Sequence, residues 1–296
     1  MSGAALLTEN MSPARPFHIF GAAEPAYPLI ISVPHAGRHY PDAIKRLARL
    51  PEARLRPLED RYADALADGA FAAGVQGIVA NTARAWIDLN RSENECDPGL
   101  VDLPSGILPV ISAKVRGGLG LIPRRISIGG DIWHHRIEAD DLNARISQYH
   151  RPYHQTLGAM LDRARTKFGV AILLDIHSMP KMHKTNGAPG AQLVVGDSFG
   201  RTSHDRFTGC AAVLAEQHGL ITAINHPYAG GHVLQRHAQP QRGLHAIQIE
   251  IDRSLYLDTE QDQPAAGLER MSQFITTLAF ALINEALEQP QAIAAE

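Results

Sequence analysis

The chain has 296 residues, 45% of them hydrophobic and 20% charged, with a formal net charge of −3. That length holds one large α/β domain or two small ones, and so small a charge argues against docking to nucleic acid or to an anionic membrane. Two cysteines, Cys96 and Cys210, are too few for a disulfide framework or a thiolate metal cage and fit a reducing cytoplasm.

Residues 1–16 lack the charged start and apolar centre of a signal peptide. They read as a flexible arm ahead of a single domain, 17–296, which has no apolar run approaching the roughly 20 residues of a spanning helix. Leu29-Ile30-Ile31-Ser32-Val33 predicts a strand stopped by Pro34, with His35 at its C-terminal end and Gly37 admitting a turn of positive φ. An amphipathic helix is expected over 59–74, with Tyr62, Leu66, Ala70 and Ala73 at helical spacing. Glu59, Asp60 and Asp64 at its start suit helix capping first; Asp60 and Asp64 are one turn apart on one face, so one can cap while the other faces a ligand.

Residues 77–81 and 85–91 predict two short strands, the second alternating so that Trp86, Asp88 and Asn90 share a side. Arg84 and Arg91 are the nearest cations. They fit a buried ion pair and, with equal weight, a planar clamp on a substrate carboxylate. The stretch 94–130 is rich in Gly and Pro and reads as a functional loop or lid. Its glycines lack the strand-to-helix placement of a dinucleotide site, which leaves Arg124 as a substrate-contact candidate. A long helix is expected over 137–168, kinked or restarted at Pro152. His150 and His154 are four apart on it, but no HExxH pattern surrounds them, so packing or helix–loop hydrogen bonding is favoured over a metal.

Ala171-Ile172-Leu173-Leu174-Asp175-Ile176-His177-Ser178-Met179-Pro180 reads as a buried strand whose C-terminal end carries Asp, His and Ser. Strands over 193–197, 221–225 and 245–251, a helix over 207–218 and a C-terminal helix over 268–287 complete the pattern. The turn Tyr228-Ala229-Gly230-Gly231 lets backbone approach a ligand. On the last strand Gln248 and Glu250 share a face, which suits an exposed edge or a site carboxylate. Strands alternating with helices imply a three-layer αβα domain with a mostly parallel, mixed sheet.

Two strand-end histidines, a helix-start acid and a lone strand carboxylate are the parts of a mononuclear hydrolytic zinc site. Such a site takes three protein ligands and keeps a position open for water. His35, Glu59 or Asp60, and His177 supply the ligands, and Glu250 the general base. Ser178 and the turn after Tyr228 can hold the acyl group or its oxyanion.

The motifs Ser32-Val33-Pro34-His35-Ala36-Gly37, Ile87-Asp88-Leu89-Asn90-Arg91, Asp175 to Pro180, Tyr228 to Gly231 and His245 to Glu250 run in order over most of the chain. Together they resemble the N-formylglutamate amidohydrolase family. The resemblance implies a zinc carboxypeptidase-like (phosphorylase/hydrolase-like) fold and hydrolysis of N-formyl-L-glutamate to formate and glutamate in histidine degradation. It also implies zinc or another divalent metal held by His35, Asp60 and His177, Asp60 being preferred to Glu59 because the family more often shows Asp there.

On the same resemblance, Arg84, Arg91, Asn90, Ser178, Tyr228 and Gly230 contact substrate, while Asp88, Asp175 and Gln248 orient the reacting groups by hydrogen bonds. Arg236 is a further cation for the substrate carboxylates. The carboxypeptidase HxxE spacing is absent, since Arg38 stands where its Glu would be. With the unusual 94–130 stretch, this leaves room for a paralogous metallo-amidase or peptidase on another N-acyl amino acid or a cell-wall peptide. A binding protein without catalysis is the third possibility. The expected partner is a small N-acyl amino acid in the cytoplasm, with no nucleic acid or membrane; a homo-oligomer is compatible with the sequence.

Overall fold

A computed structural model describes residues 15–103, 106, 108–126, 130–183 and 190–288. Strands β1 (Phe17–Phe20) and β2 (Leu29–Val33) are followed by the short helices α1 (Asp42–Leu47), α2 (Glu52–Leu55) and α3 (Asp68–Ala72), then by β3 (Gln76–Ala80). The irregular stretch carries α4 (Ala113–Arg116) and a ribbon of β4 (Arg125–Ile126) with β5 (Gly130–Asp131). Helices α5 (Ala139–Arg145) and α6 (Arg151–Phe168) lead into β6 (Ala171–Met179) and β7 (Leu193–Gly196). Then come α7 (Asp205–Gln217), β8 (Thr222–Ile224), α8 (His232–His237), β9 (Leu244–Asp252) and α9 (Gly267–Leu287).

Seven strands form one sheet in the order β1-β3-β2-β6-β9-β7-β8. β2 runs parallel to β3 and β6, β6 to β9, and β7 to β8; β1 and β7 are antiparallel to β3 and β9. Every residue of β2, β6 and β9 is buried, as expected of central strands covered on both faces. One face packs Ile31, Leu174 and Ile249 against α7, α9 and the 63–71 segment. The other packs Ile30, Leu173 and Ala246 against α6, α8 and the loops around Trp86. The three-layer α/β arrangement with a mixed sheet is therefore as expected.

Chain order places β3 on one side of β2 and β6 on the other. The crevice beyond the C-terminal ends of β2 and β6 is thus a topological switch point, where open α/β sheets bind ligands. β6 continues through His177 and Ser178 and stops at Met179, before Pro180.

Several local expectations are corrected. The helix over 59–74 is broken: Tyr62 has φ of 57°, and only a short 3-10 turn at Ala65–Ala67 and α3 are helical. A side chain at positive φ cannot continue a right-handed helix. The strand over 85–91 is absent. Its backbone is tied by turns, Trp86 N–H to Ala83 O and Arg91 N–H to Asp88 O, and its polar alternation comes from separate buried partners rather than a pleat. The long helix over 137–168 is divided by a wider π-type turn at Ile146–His150, with Pro152 in the first turn of α6. Glu250 sits on a strand between β6 and β7, which removes the edge-strand reading. Of the expected N-terminal arm, residues 1–14 lie outside the described residues, as do 104, 105, 107 and 127–129 of the expected lid.

Gly37 does not adopt positive φ; its role is close approach. A Cβ there would lie 2.1 Å from Thr82 O and 2.5 Å from Thr82 C. Gly37→Ala is expected to destabilise the fold by about 1–3 kcal/mol. A lowered urea midpoint with an unchanged m-value checks it.

Candidate active site

His35 leaves β2 directly, and its carbonyl accepts the backbone N–H of Asp60 at 2.9 Å. That bond brings the start of the 60–72 segment to the switch point. His177 comes from β6, and Glu250 is its register partner on β9. Period-two alternation puts Asp175 and His177 on one face of β6, and Gln248 and Glu250 on one face of β9. All six side chains are buried.

His35, Asp60 and His177 bring ligand-type atoms within 4.8 Å of one another. Asp60 Oδ2 lies 3.0 Å from His177 Nδ1 and 3.4 Å from His35 Nδ1. The other oxygen, Asp60 Oδ1, accepts from Arg253 Nη2 at 2.9 Å. On their far sides both rings meet a carboxylate: His35 Nε2–H donates to Asp88 at 2.7 Å, and His177 Nε2–H to Asp175 at 2.9 Å. A carboxylate can only accept, so both Nε2 atoms carry the proton. Both Nδ1 atoms therefore face Asp60, in the carboxylate–histidine–metal pattern.

The carboxylates are themselves held. Asp175 accepts from Ser32 Oγ at 2.7 Å, and Ser32 Oγ is 2.9 Å from Tyr153 Oη. Asp88 accepts from Arg84 Nε and from the Asn90 N–H, each at 2.8 Å. Burial alone would lower the His177 pKa, but Asp175, Asp60 and Glu250 hold it well above its ordinary value. Burial would likewise raise Asp60; the hydrogen bond from His177 and the neighbouring His35 and Arg253 hold it well below the carboxylate range. The resulting imidazolium bridges two carboxylates, and a cation at Nδ1 can replace that proton. His35 Nδ1 is buried without a hydrogen-bond partner. An orphaned nitrogen beside an anionic oxygen and a second imidazole fits a divalent metal such as zinc.

Burial pushes Glu250 up to about 7, Asp60 adding to this against the opposing charges of His177, Arg84 and Arg253. Gln248 Nε2 donates to Glu250 Oε1 at 3.0 Å. Glu59 does not enter the cluster: it accepts from Tyr40 Oη and, at 2.7 Å, from Arg61.

A cavity of about 780 Å³ opens on this cluster. Arg84, Arg91, Asn90, Ser178, Tyr228 and Gly230 all line it, whereas Arg124 and Arg236 do not. Arg124 is paired with Asp97 instead, and Arg236 is exposed on α8. Arg84 is engaged with Asp88, and Arg91 donates to the carbonyls of Leu119 and Asn90. Gly230 has φ of 116°, and a Cβ on Gly231 would meet the Asn90 amide at 2.4 Å, so the double glycine sets the cavity wall.

Four cations on the wall, Arg54, Lys114, Arg125 and Arg253, escaped sequence reasoning. Arg253, the first residue past β9, donates to Ser178 Oγ at 2.9 Å as well as to Asp60. Its position at the end of the carboxylate-bearing strand was an available signal. Lys114, over the Tyr228 ring at 5.7 Å, comes from the irregular stretch and left none.

Strand ends at a switch point, two carboxylate-backed histidines and a buried strand glutamate define an α/β protein with a hydrolase-type site. The chain belongs to the N-formylglutamate amidohydrolase family, whose model matches residues 27–257. It is 32% identical over 251 residues to the N-formylglutamate deformylase of Pseudomonas putida, covering 83% of this chain and 87% of that one. It is 27% identical to the N-formylglutamate deformylase of Pseudomonas aeruginosa, covering 79% and 83%. Its fold matches the crystal structure of N-formylglutamate amidohydrolase from Ralstonia eutropha JMP134 with a TM-score of 0.83 at 28% identity, covering 92% of this chain and 97% of that one. Among the described residues, no helix is long and apolar enough to cross a membrane.

Proposed function

We propose that the chain is a divalent-metal-dependent amidohydrolase that splits N-formyl-L-glutamate into formate and glutamate. The carrying observation is the meeting of His35 Nδ1, His177 Nδ1 and Asp60 Oδ2 beside Glu250 in one cavity. Membership of the family and the names of its Pseudomonas relatives support the substrate.

His35, Asp60 and His177 hold the metal, zinc being the expected ion. When bound, it supplies a Lewis acid that polarises the formyl carbonyl and lowers the pKa of water. Glu250, ionised, takes the proton of the attacking water and returns it to the leaving glutamate nitrogen. Burial raises the Tyr228 pKa, so its hydroxyl stays protonated and can donate to the developing oxyanion. The substrate is a dicarboxylate. The cavity wall carries Arg54, Arg84, Arg91, Lys114, Arg125 and Arg253 against the acids Asp60 and Glu250, an excess that favours such an anion. Asp88 and Asp175 keep both imidazoles aimed. The cytoplasm is the compartment we assign, on cysteine usage.

The test is formate release from N-formyl-L-glutamate, set beside N-acetyl- and N-succinylglutamate, before and after dialysis against a chelator. Rapid release from the formyl compound alone, lost on chelation and restored by zinc, is expected. Turnover of another acyl group instead would assign the site to a paralogous amidase. Full activity after complete metal removal would sink the metal reading.

A further inference from the structure

A second group of imidazoles lies away from Glu250. His150, the last residue of the wide turn, and His154, four residues on in α6, meet His232 at the start of α8, with ligand-type nitrogens all within 4.8 Å of one another. Their ring centroids are 4.4 Å (150–154), 5.1 Å (154–232) and 5.6 Å (150–232) apart.

The helix–loop hydrogen bonds expected from sequence are present, and they decide which nitrogens remain. His150 Nε2 lies 2.8 Å from Arg91 O, and His154 Nε2 2.9 Å from Leu89 O. A carbonyl can only accept, so each Nε2 carries the proton and each Nδ1 keeps its lone pair. Backbone carbonyls serve metal-site histidines in this way, fixing tautomer and ring orientation. The His150 ring is fully buried, yet its Nδ1 has no hydrogen-bond partner; the same holds for His232 Nε2, whose residue is only partly buried. Orphaned polar atoms of this kind are costly to bury, and one shared ligand would satisfy both. His237 Nε2 lies 3.0 Å from His154 Nδ1 and occupies that lone pair until a stronger acceptor of electrons arrives. Glu93 Oε1, at the solvent edge, is 3.8 Å from His150 Nδ1.

We infer that His150, His154 and His232 form a second metal site, for a nitrogen-preferring divalent transition metal. Three neutral imidazoles suit zinc, cobalt, nickel or copper and exclude magnesium and calcium, which take oxygen. The partly exposed His232 side and Glu93 give the ion its entry. The two carbonyls that aim the rings flank Asn90, whose amide is 3.4 Å from His177 Nε2 and whose Oδ1 accepts the Val233 N–H at 2.8 Å. A cation here therefore clamps α6 and α8 onto the loop that carries Asp88 and Asn90. Its role is to brace that loop.

The full-length protein, stripped of metal, is titrated with Co²⁺ and followed by equilibrium dialysis, the visible d–d spectrum and thermal melting. Wild type is expected to bind two equivalents. His232→Gln and His150→Gln each lose one, with affinity at that site weakened at least a hundredfold and its share of the melting shift gone. Asp60→Asn loses the other. His232 is only partly buried, whereas His150 is fully buried, so the His232 variant keeps the proposal testable should His150→Gln fold poorly. Two equivalents retained in both histidine variants would overturn the proposal, as would a single wild-type equivalent lost only in Asp60→Asn. A single equivalent lost only in the His232 variant would leave this site standing and remove the metal from the proposed reaction centre.

Discussion

Glu250→Gln is expected to lower kcat for N-formyl-L-glutamate by about 10²–10⁴-fold, the range for loss of a positioned general base, while the protein keeps its metal. The amide is nearly isosteric and sits on a central strand whose backbone pairing with β6 and β7 it does not alter. What disappears is the proton acceptor. With the wild-type carboxyl raised to about 7 by burial, kcat/KM should fall on acidification with an inflection at or below about pH 7, a bound cation moving it downward. The same burial gives a stability signature in metal-free protein. The folded-state pKa lies above the ordinary 4.5, so the folded form binds the proton more tightly and its advantage is lost as pH rises through about 7. Glu250→Gln should therefore stabilise the metal-free fold at pH 8 by roughly 3 kcal/mol and leave it nearly unchanged at pH 4. Denaturant melts of both proteins at the two pH values measure this. A variant that turns over at the wild-type rate would remove Glu250 from the chemistry, whatever its stability.

Asp60→Asn and Glu59→Gln should part company completely. Asp60 Oδ2 faces both imidazoles, and its loss takes the anionic oxygen from the set; affinity for the metal should drop by 10²-fold or more, with activity following. Glu59 joins Tyr40 to Arg61. Its amide variant should keep metal and kcat and lose about 1–3 kcal/mol of stability, because Arg61 is left with a weaker acceptor in a buried place. Metal content by mass spectrometry of the intact protein and urea midpoints separate the two. Metal loss in the Glu59 variant alone would reverse the assignment.

The sheet was legible because central parallel strands are continuous apolar runs. Leu29 to Val33, Ala171 to Met179 and Leu244 to Asp252 can hardly be anything else, and the polar letters inside them, His177 and Glu250, stand out by their cost. His35 was legible for the same reason, at the end of such a run. Asp60 was harder. Its partner is across the crevice on another strand, and local sequence offers only the acid cluster of a helix start, which Tyr62 then breaks. The 85–91 segment misleads because its alternation imitates a pleat; Asp88 and Asn90 alternate with Ile87 and Leu89 because each has its own buried partners in a turn-rich loop. Arg124 lies off the cavity while Lys114 and Arg125 line it, all three from the irregular stretch, where long-range packing decides which cations face the cavity.

The wide turn at Ile146–His150 acts as a change of gear. Five residues wound at the looser pitch lag a regular helix by about a quarter turn. One continuous rod thereby serves two surfaces that a uniform helix would leave out of phase. Ahead of the turn, Arg145 stacks on Trp86 at 3.5 Å and on Trp133 at 4.9 Å; beyond it, Tyr153 and Leu157 meet the sheet. Losing or gaining one residue here would swing α5 about its own axis without disturbing a strand. Divergence in this part of the family should therefore appear as whole-residue gaps accompanied by new aromatic partners for residue 145, rather than as drift in the letters themselves.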